Sequence, residues 1–199
     1  YTFKNVTANH TIEAVFAKVE AKPTNPFVDV AEGTYYYDPV LWAVANGITS
    51  GVDATHFEPE GTCTRAHAVT FLWRASGQPE PKTTNMPFRD VKPGSYYEKA
   101  VLWAVENKIT NGTSTTTFSP DENCTRAQIV TFLWRSKGEP YASDSNNPFT
   151  DIASDYYMDA VFWAVKEGIT KGTTPTTFSP NERCTRAQIV TFIYRAMVS

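Results

Sequence analysis

The sequence predicts a mainly α protein of three helix-loop-helix repeats packed around a shared axis, preceded by a short β-hairpin remnant. Three observations carry this. First, one block of about sixty residues is written three times. Its tightest part reads Cys63-Thr64-Arg65-Ala66-His67, Cys124-Thr125-Arg126-Ala127-Gln128 and Cys184-Thr185-Arg186-Ala187-Gln188. Upstream of these lie Phe57-Glu58-Pro59, Phe118-Ser119-Pro120 and Phe178-Ser179-Pro180, and further upstream Phe27-Val28-Asp29, Phe88-Arg89-Asp90 and Phe149-Thr150-Asp151. The steps from Phe27 to Phe88 and from Phe88 to Phe149 are both 61 residues, and a fixed period of self-similarity governs architecture before any local motif does. Second, apolar residues inside each block keep helical spacing. Third, helix-start signals recur at one position of the block.

Taken in order, residues 1–24 stand apart from the repeats. Tyr1-Thr2-Phe3 and Ile12-Glu13-Ala14-Val15-Phe16-Ala17 alternate in the strand manner around an Asn5–His10 turn, which reads as the end of a preceding β module. The first repeat, 25–78, opens with a helix through Asp38-Pro39-Val40-Leu41-Trp42-Ala43-Val44, where Asp38 is a candidate cap and Pro39 suits a first turn. Val40, Leu41, Val44 and Ile48 share one arc, whereas Trp42 lies about 200° from Val40 and faces something other than the repeat's own core. Gly47 and Gly51 end that helix and turn the chain. Lys108 replaces the first of these glycines in the second repeat, so only Gly51, Gly112 and Gly172 read as obligatory. A Thr-rich loop follows, and Thr64, Thr125 and Thr185 read as N-caps of a second helix. Gln128 and Gln188 at N3 complete a capping box, for which His67 is a poor substitute. That second helix is apolar nearly all round, the mark of a bundle centre. Repeats two and three span 86–138 and 147–199.

Composition narrows the function. A net charge of -3 and a pI near 5.6 argue against nucleic acid, and no apolar run is long enough to span a bilayer. The chain opens on Tyr1-Thr2-Phe3-Lys4 rather than on Met, with no signal peptide in view, and reads as a C-terminal piece of a longer protein. Cys63, Cys124 and Cys184 fall one per repeat. Three equivalent positions do not pair into disulfides. They are either small buried apolar side chains or a three-thiolate metal site, and no nearby His or Cys completes the latter. No cofactor is expected. Nothing argues for catalysis, since the acids are scattered and His10, His56 and His67 share no triad or ligand spacing.

Two residue classes could carry binding. Arg65, Arg126 and Arg186 sit at N1, where a cation meets the positive end of the helix dipole at a cost of ~0.3–1 kcal/mol. An anionic partner must offset this. It is either an internal salt bridge to Asp29, Asp90 or Asp151, or an external anion held by the guanidinium together with free N–H groups at the helix start. Trp42, Trp103 and Trp163 either pack against the neighbouring repeat or stack on a sugar ring, and one groove between repeats could use the ring for both.

Together the Phe-x-Asp start, the Ala-Val helix around a Trp, Gly-Ile-Thr-x-Gly, Phe-x-Pro and Thr-Arg-Ala-Gln resemble three tandem S-layer homology domains over about residues 26–198. The resemblance implies a pseudo-three-fold, three-pronged helical module with grooves between units. It also implies a protein exported to the bacterial cell wall or S-layer and anchored there through secondary cell-wall polysaccharide, often pyruvylated. By position it implies ligand-binding roles for Arg65, Arg126 and Arg186, for Asp29, Asp90 and Asp151, for Trp42, Trp103 and Trp163, and for Gly51, Gly112 and Gly172. The family's motif Glu is here His67, Gln128 or Gln188, which makes each site less negative and favours an anion. A module for protein–protein assembly in a surface lattice is the alternative. The chain's divergence at His67, Lys108 and Tyr194 implies that the grooves are not equivalent.

Overall fold

The fold is that of a computed structural model, in which Thr7 and residues 24–143, 147–153 and 155–198 are described. The β-hairpin expected within residues 1–24 lies outside them, apart from Thr7 and Thr24. Six helices follow in pairs: α1 (Tyr37–Ala45), α2 (Arg65–Ala75), α3 (Glu98–Glu106), α4 (Arg126–Ser136), α5 (Met158–Lys166) and α6 (Arg186–Val198). Among the described residues, β structure is confined to isolated bridges.

The second helices α2, α4 and α6 touch one another, while α3 packs on α2, α5 on α4 and α1 on α6. Each first helix therefore rests on the second helix of the preceding repeat, and the first repeat closes on the third. Sequence explains the division of labour. Ile129, Val130, Phe132 and Leu133 of α4 are all buried, as a helix apolar on every side must be when it stands at a bundle centre. In α1, Val40, Leu41 and Ala43 are buried and Val44 packs at the margin of the core.

The cysteines mark the point where the repeats meet. Cys63 N–H donates to Cys184 C=O at 3.2 Å, Cys124 N–H to Cys63 C=O at 2.8 Å, and Cys184 N–H to Cys124 C=O at 2.8 Å, a closed cycle. All three side chains are fully buried free thiols. Burial pushes Cys63 and Cys124 up to about 12 and Cys184 well above the ordinary thiol value, so the thiols stay protonated and pack as small apolar groups. Among the described residues no group of three His, Cys, Asp or Glu is placed to hold a metal.

Two local expectations change, at Asp38 and His67, while the reading of the two glycine positions holds. Asp38 lies inside the first turn of α1 rather than at its cap, because a turn at Thr34–Tyr37 starts the helix earlier, on Tyr36. Lys108 adopts the same left-handed backbone as Gly47 and Gly168, with φ of 57° against 66° and 68°, so that turn tolerates a side chain. Gly112 does not: a Cβ there would meet Phe88 Cε1 at 2.5 Å and the Ser114 carbonyl at 2.6 Å, and φ is +82°. His67, finally, completes the capping box. Thr64 N–H donates to its Nδ1 at 3.3 Å, and its own N–H donates to Thr64 Oγ1 at 3.3 Å. An imidazole nitrogen serves as the acceptor that Gln128 and Gln188 supply with an amide oxygen.

Candidate functional site: three inter-repeat grooves

Each arginine at N1 is drawn inward. Arg65, Arg126 and Arg186 are 2%, 3% and 6% exposed. Their Nε–H groups donate to the carbonyls of Phe118, Phe178 and Phe57 at 2.7–2.8 Å, each in the loop of the next repeat. The guanidinium carbons sit 4.8 Å from the centres of those same phenylalanine rings. A cation over a desolvated ring gains ~2 kcal/mol. Yet Nη2 of all three is buried with no hydrogen-bond partner among the described residues. Burial lowers Arg65 and Arg126 from the ordinary arginine value, though guanidinium stays charged in proteins. A native structure rarely leaves such a donor without a reason.

The salt bridge considered from sequence is not made: among the described residues no ion pair joins these arginines to Asp29, Asp90 or Asp151. The aspartates instead accept from backbone N–H groups of the Phe-x-Pro loops. Asp90 accepts from Phe118 at 2.8 Å and Ser119 at 2.7 Å, and Asp29 and Asp151 repeat this at Phe57–Glu58 and Phe178–Ser179. Nor are the helix-start N–H groups free. Arg65 and Ala66 donate to the carbonyls of Glu122 and Pro120, Arg126 and Ala127 to Glu182 and Pro180, and Arg186 and Ala187 to Gly61 and Pro59. The neighbouring loop saturates the helix end, so an anion could be held by side chains only.

Around each arginine lies a groove assembled from all three repeats. Groove 1, about 360 Å3, joins Arg65 to Gly112, Thr113, Gln128, Thr131, Phe132 and Arg135 of the second repeat and Tyr156 of the third. Groove 2, about 330 Å3, joins Arg126 to Lys171, Gly172, Gln188, Thr191, Phe192 and Arg195, with Tyr35 from the first repeat. Groove 3, about 360 Å3, joins Arg186 to Gly51, Val52, Glu58, His67, Thr70, Phe71 and Arg74, with Tyr96 from the second. The same parts recur in cyclic order. The hydroxyls of Thr70 and Thr191, like the arginine Nη2 atoms, are buried without partners.

The grooves thus contain the expected arginines and glycines, with the aspartates bracing their walls. They do not contain the tryptophans. Trp103 and Trp163 are 8% and 5% exposed, and Trp42 stands edge-on to Tyr194 of α6 with ring centres 5.4 Å apart. Trp42 lies on the seam between the first and third repeats, as its off-arc position permits, Trp163 lies beside Lys137 of the preceding repeat, and Trp103 is buried in the common core.

Two groove features escaped the sequence reading. One is the exposed tyrosine: Tyr35, Tyr96 and Tyr156 are 54%, 54% and 51% exposed, and each leans edge-on against the buried or half-buried tyrosine that follows it. Burial raises each hydroxyl above its ordinary value, so it remains a donor. The signal was present as a Tyr-Tyr pair in every repeat. The other is a second arginine, Arg74, Arg135 or Arg195, whose Nη1 donates to the carbonyl of Ile48, Ile109 or Ile169 at 3.0, 3.4 or 2.9 Å. It too recurs with the period.

Known proteins carry the same block. A family model for the S-layer homology domain matches residues 26–69, 87–130 and 148–190. An endoglucanase of Bacillus sp. (strain KSM-635) is 38% identical over 59% of this chain and 12% of its own length. A cellulosome-anchoring protein of Acetivibrio thermocellus is 26% identical over 86% of this chain and 39% of its own. The surface-layer 125 kDa protein of Lysinibacillus sphaericus is 27% identical over 97% and 16%. The chain thus spans well under half the length of these relatives. No helix among the described residues is long and apolar enough to cross a membrane. Three ordered matches, each covering the first helix of a repeat, its loop and the start of its second helix, mean that the chain belongs to the S-layer homology domain family, with three domains in tandem.

Proposed function

We propose that the chain is a non-catalytic anchor that holds a cell-surface protein to the bacterial cell wall, its grooves binding an acidic, pyruvyl-bearing secondary cell-wall polysaccharide. The observation that carries this reading is the buried arginine with an unpartnered Nη2, set beside a second arginine and repeated in three grooves. An isolated buried charge is unfavourable, and a carboxylate offsets it with a charge-assisted hydrogen bond. The half-exposed tyrosine offers an apolar face for a sugar ring and a hydroxyl for its polar edge. A neutral polymer would leave the guanidinium uncompensated. The surface-layer and cellulosome-anchoring relatives support a place at the cell wall, and the endoglucanase shares only a small part of its length with this chain.

Three grooves on one chain also suit a repeating polymer. If several engage one strand, avidity can exceed single-groove affinity by ~10²–10⁴. The test is calorimetric titration with isolated wall polymer, before and after chemical removal of its acidic substituents. Binding that vanishes with the acid is the expected result. Undiminished binding of the stripped polymer would overturn the anionic reading, and no binding of either would overturn the polysaccharide one.

A further inference from the structure

The three grooves are built alike but charged differently. Groove 1 presents Arg65 and Arg135, the latter with its Nε 3.8 Å from a Glu139 carboxylate that does not line the groove, and groove 2 presents Arg126, Arg195 and Lys171; neither has an acid among its lining residues. Groove 3 presents Arg186 and Arg74 together with the carboxylate of Glu58. Glu58 occupies the central position of Phe-x-Pro, where the other repeats have Ser119 and Ser179. The backbone there is the same in all three, with φ of 56°, 57° and 59°.

The neighbours of that position differ as well. Ser119 and Ser179 are tied by their hydroxyls to Thr113 and Thr173, each at 2.7 Å. The matching residue in the first repeat is Val52, 46% exposed, which has no hydroxyl to offer. No hydrogen bond or ion pair joins the exposed Glu58 carboxylate to another described residue. A negative charge is thus left at the mouth of one groove, where two hydroxyls are locked together in the others.

From this we infer that Glu58 is a specificity-determining residue: it turns groove 3 away from the acidic substituent and toward an uncharged sugar, while grooves 1 and 2 take the acidic one. The inference rests on the anionic reading of the grooves proposed above.

A single titration separates the two ideas, because Gly112, Gly172 and Gly51 each line one groove and their backbone amides report on it individually. The intact, isotope-labelled chain is titrated by NMR with a methyl hexopyranoside bearing a pyruvyl ketal, and with the same glycoside lacking it. For the acidic glycoside the Gly51 signal should need a concentration ~5- to 10-fold higher than Gly112 or Gly172, a gap that narrows with salt. For the neutral glycoside the gap should disappear. Glu58→Ser, which restores the residue found in the other repeats at an exposed position, should bring Gly51 into line with them. Parallel titration of all three signals by the acidic glycoside in the unaltered chain would overturn the inference, as would a gap that survives Glu58→Ser. If neither Gly112 nor Gly172 responds to the acidic glycoside, the anionic reading falls and takes this inference with it.

Discussion

The tryptophan seams and the arginine grooves recur with the same period, yet they differ in what they leave unsatisfied. At a seam, Trp163 is 5% exposed and lies where α5 packs on α4, and Trp42 meets Tyr194 edge-on. At a groove, Arg126 is just as buried and just as well placed on aromatic rings, but one of its nitrogens has no partner. Burial alone therefore does not separate scaffold from site. What distinguishes the arginine from the tryptophan is its unmet hydrogen-bonding capacity.

The largest expected effect lies at the seam. Trp163→Ala removes a buried aromatic from an inter-repeat contact and should destabilise the fold by ~3–5 kcal/mol, read by thermal or denaturant unfolding. Ligand affinity measured well below the melting transition should change little. A variant that loses binding while keeping its stability would bring the tryptophan back into the site and break the comparison.

Arg126→Ala should show both kinds of loss. The side chain is 3% exposed, donates to the Phe178 carbonyl at 2.8 Å and lies over Phe178 and Phe192. Losing that hydrogen bond and the cation–ring contacts should cost ~2–4 kcal/mol of stability. Binding at groove 2 should fall with it. Arg126→Lys sharpens the test: it keeps the charge and much of the stem but cannot reproduce the planar fork. Stability should recover more than affinity does, and equal recovery would mark the arginine as scaffold.

Tyr35→Ala is the converse. More than half exposed, the ring contributes little to the core, so stability should shift by no more than ~0.5 kcal/mol. Titration of the Gly172 amide should nonetheless need several times more ligand, since one wall of groove 2 is gone. Unchanged binding would show that the ligand does not touch this wall.

These three variants also mark how far the sequence could be read. Period, capping residues and the greasy second helix revealed the paired helices and their repeats, because those signals are local. The arginine stood out because N1 is an unfavourable place for a cation. What the chain order hid was the partner. Arg65 shares its groove with Gln128 from the next repeat and Tyr156 from the one after, about sixty and ninety residues further along the chain. The free helix-start N–H groups expected for anion binding were lost for the same reason, since the Pro120 and Glu122 carbonyls that occupy them come from another repeat. Tyr35, Tyr96 and Tyr156 read as ordinary surface tyrosines until the cyclic packing set each against a foreign arginine.

The smallest effect concerns His67, where scaffold and groove coincide. Its Nδ1 accepts from Thr64 N–H to cap α2, its ring stacks on Tyr96, and it lines groove 3 near Arg186. Burial first, and Arg186 second, hold it below the ordinary imidazole value, with Asp121 opposing. With the folded value depressed, the unfolded chain takes up the proton first as pH falls. Stability is therefore intact above about 6.5 and declines as pH drops from there through the folded value. Protonation also turns Nδ1 into a donor and ends its capping bond. His67→Gln places in the first repeat the amide that caps the other two and cannot titrate. Its melting temperature should match that of the unaltered chain at pH 7.5 and exceed it at pH 5 by about one degree. Asp53, held near 2 by the N–H of Thr55, belongs to both proteins and cancels from the difference. A constant offset across that range would mean that His67 contributes only its shape to the cap, and that the acid sensitivity of the first repeat lies elsewhere.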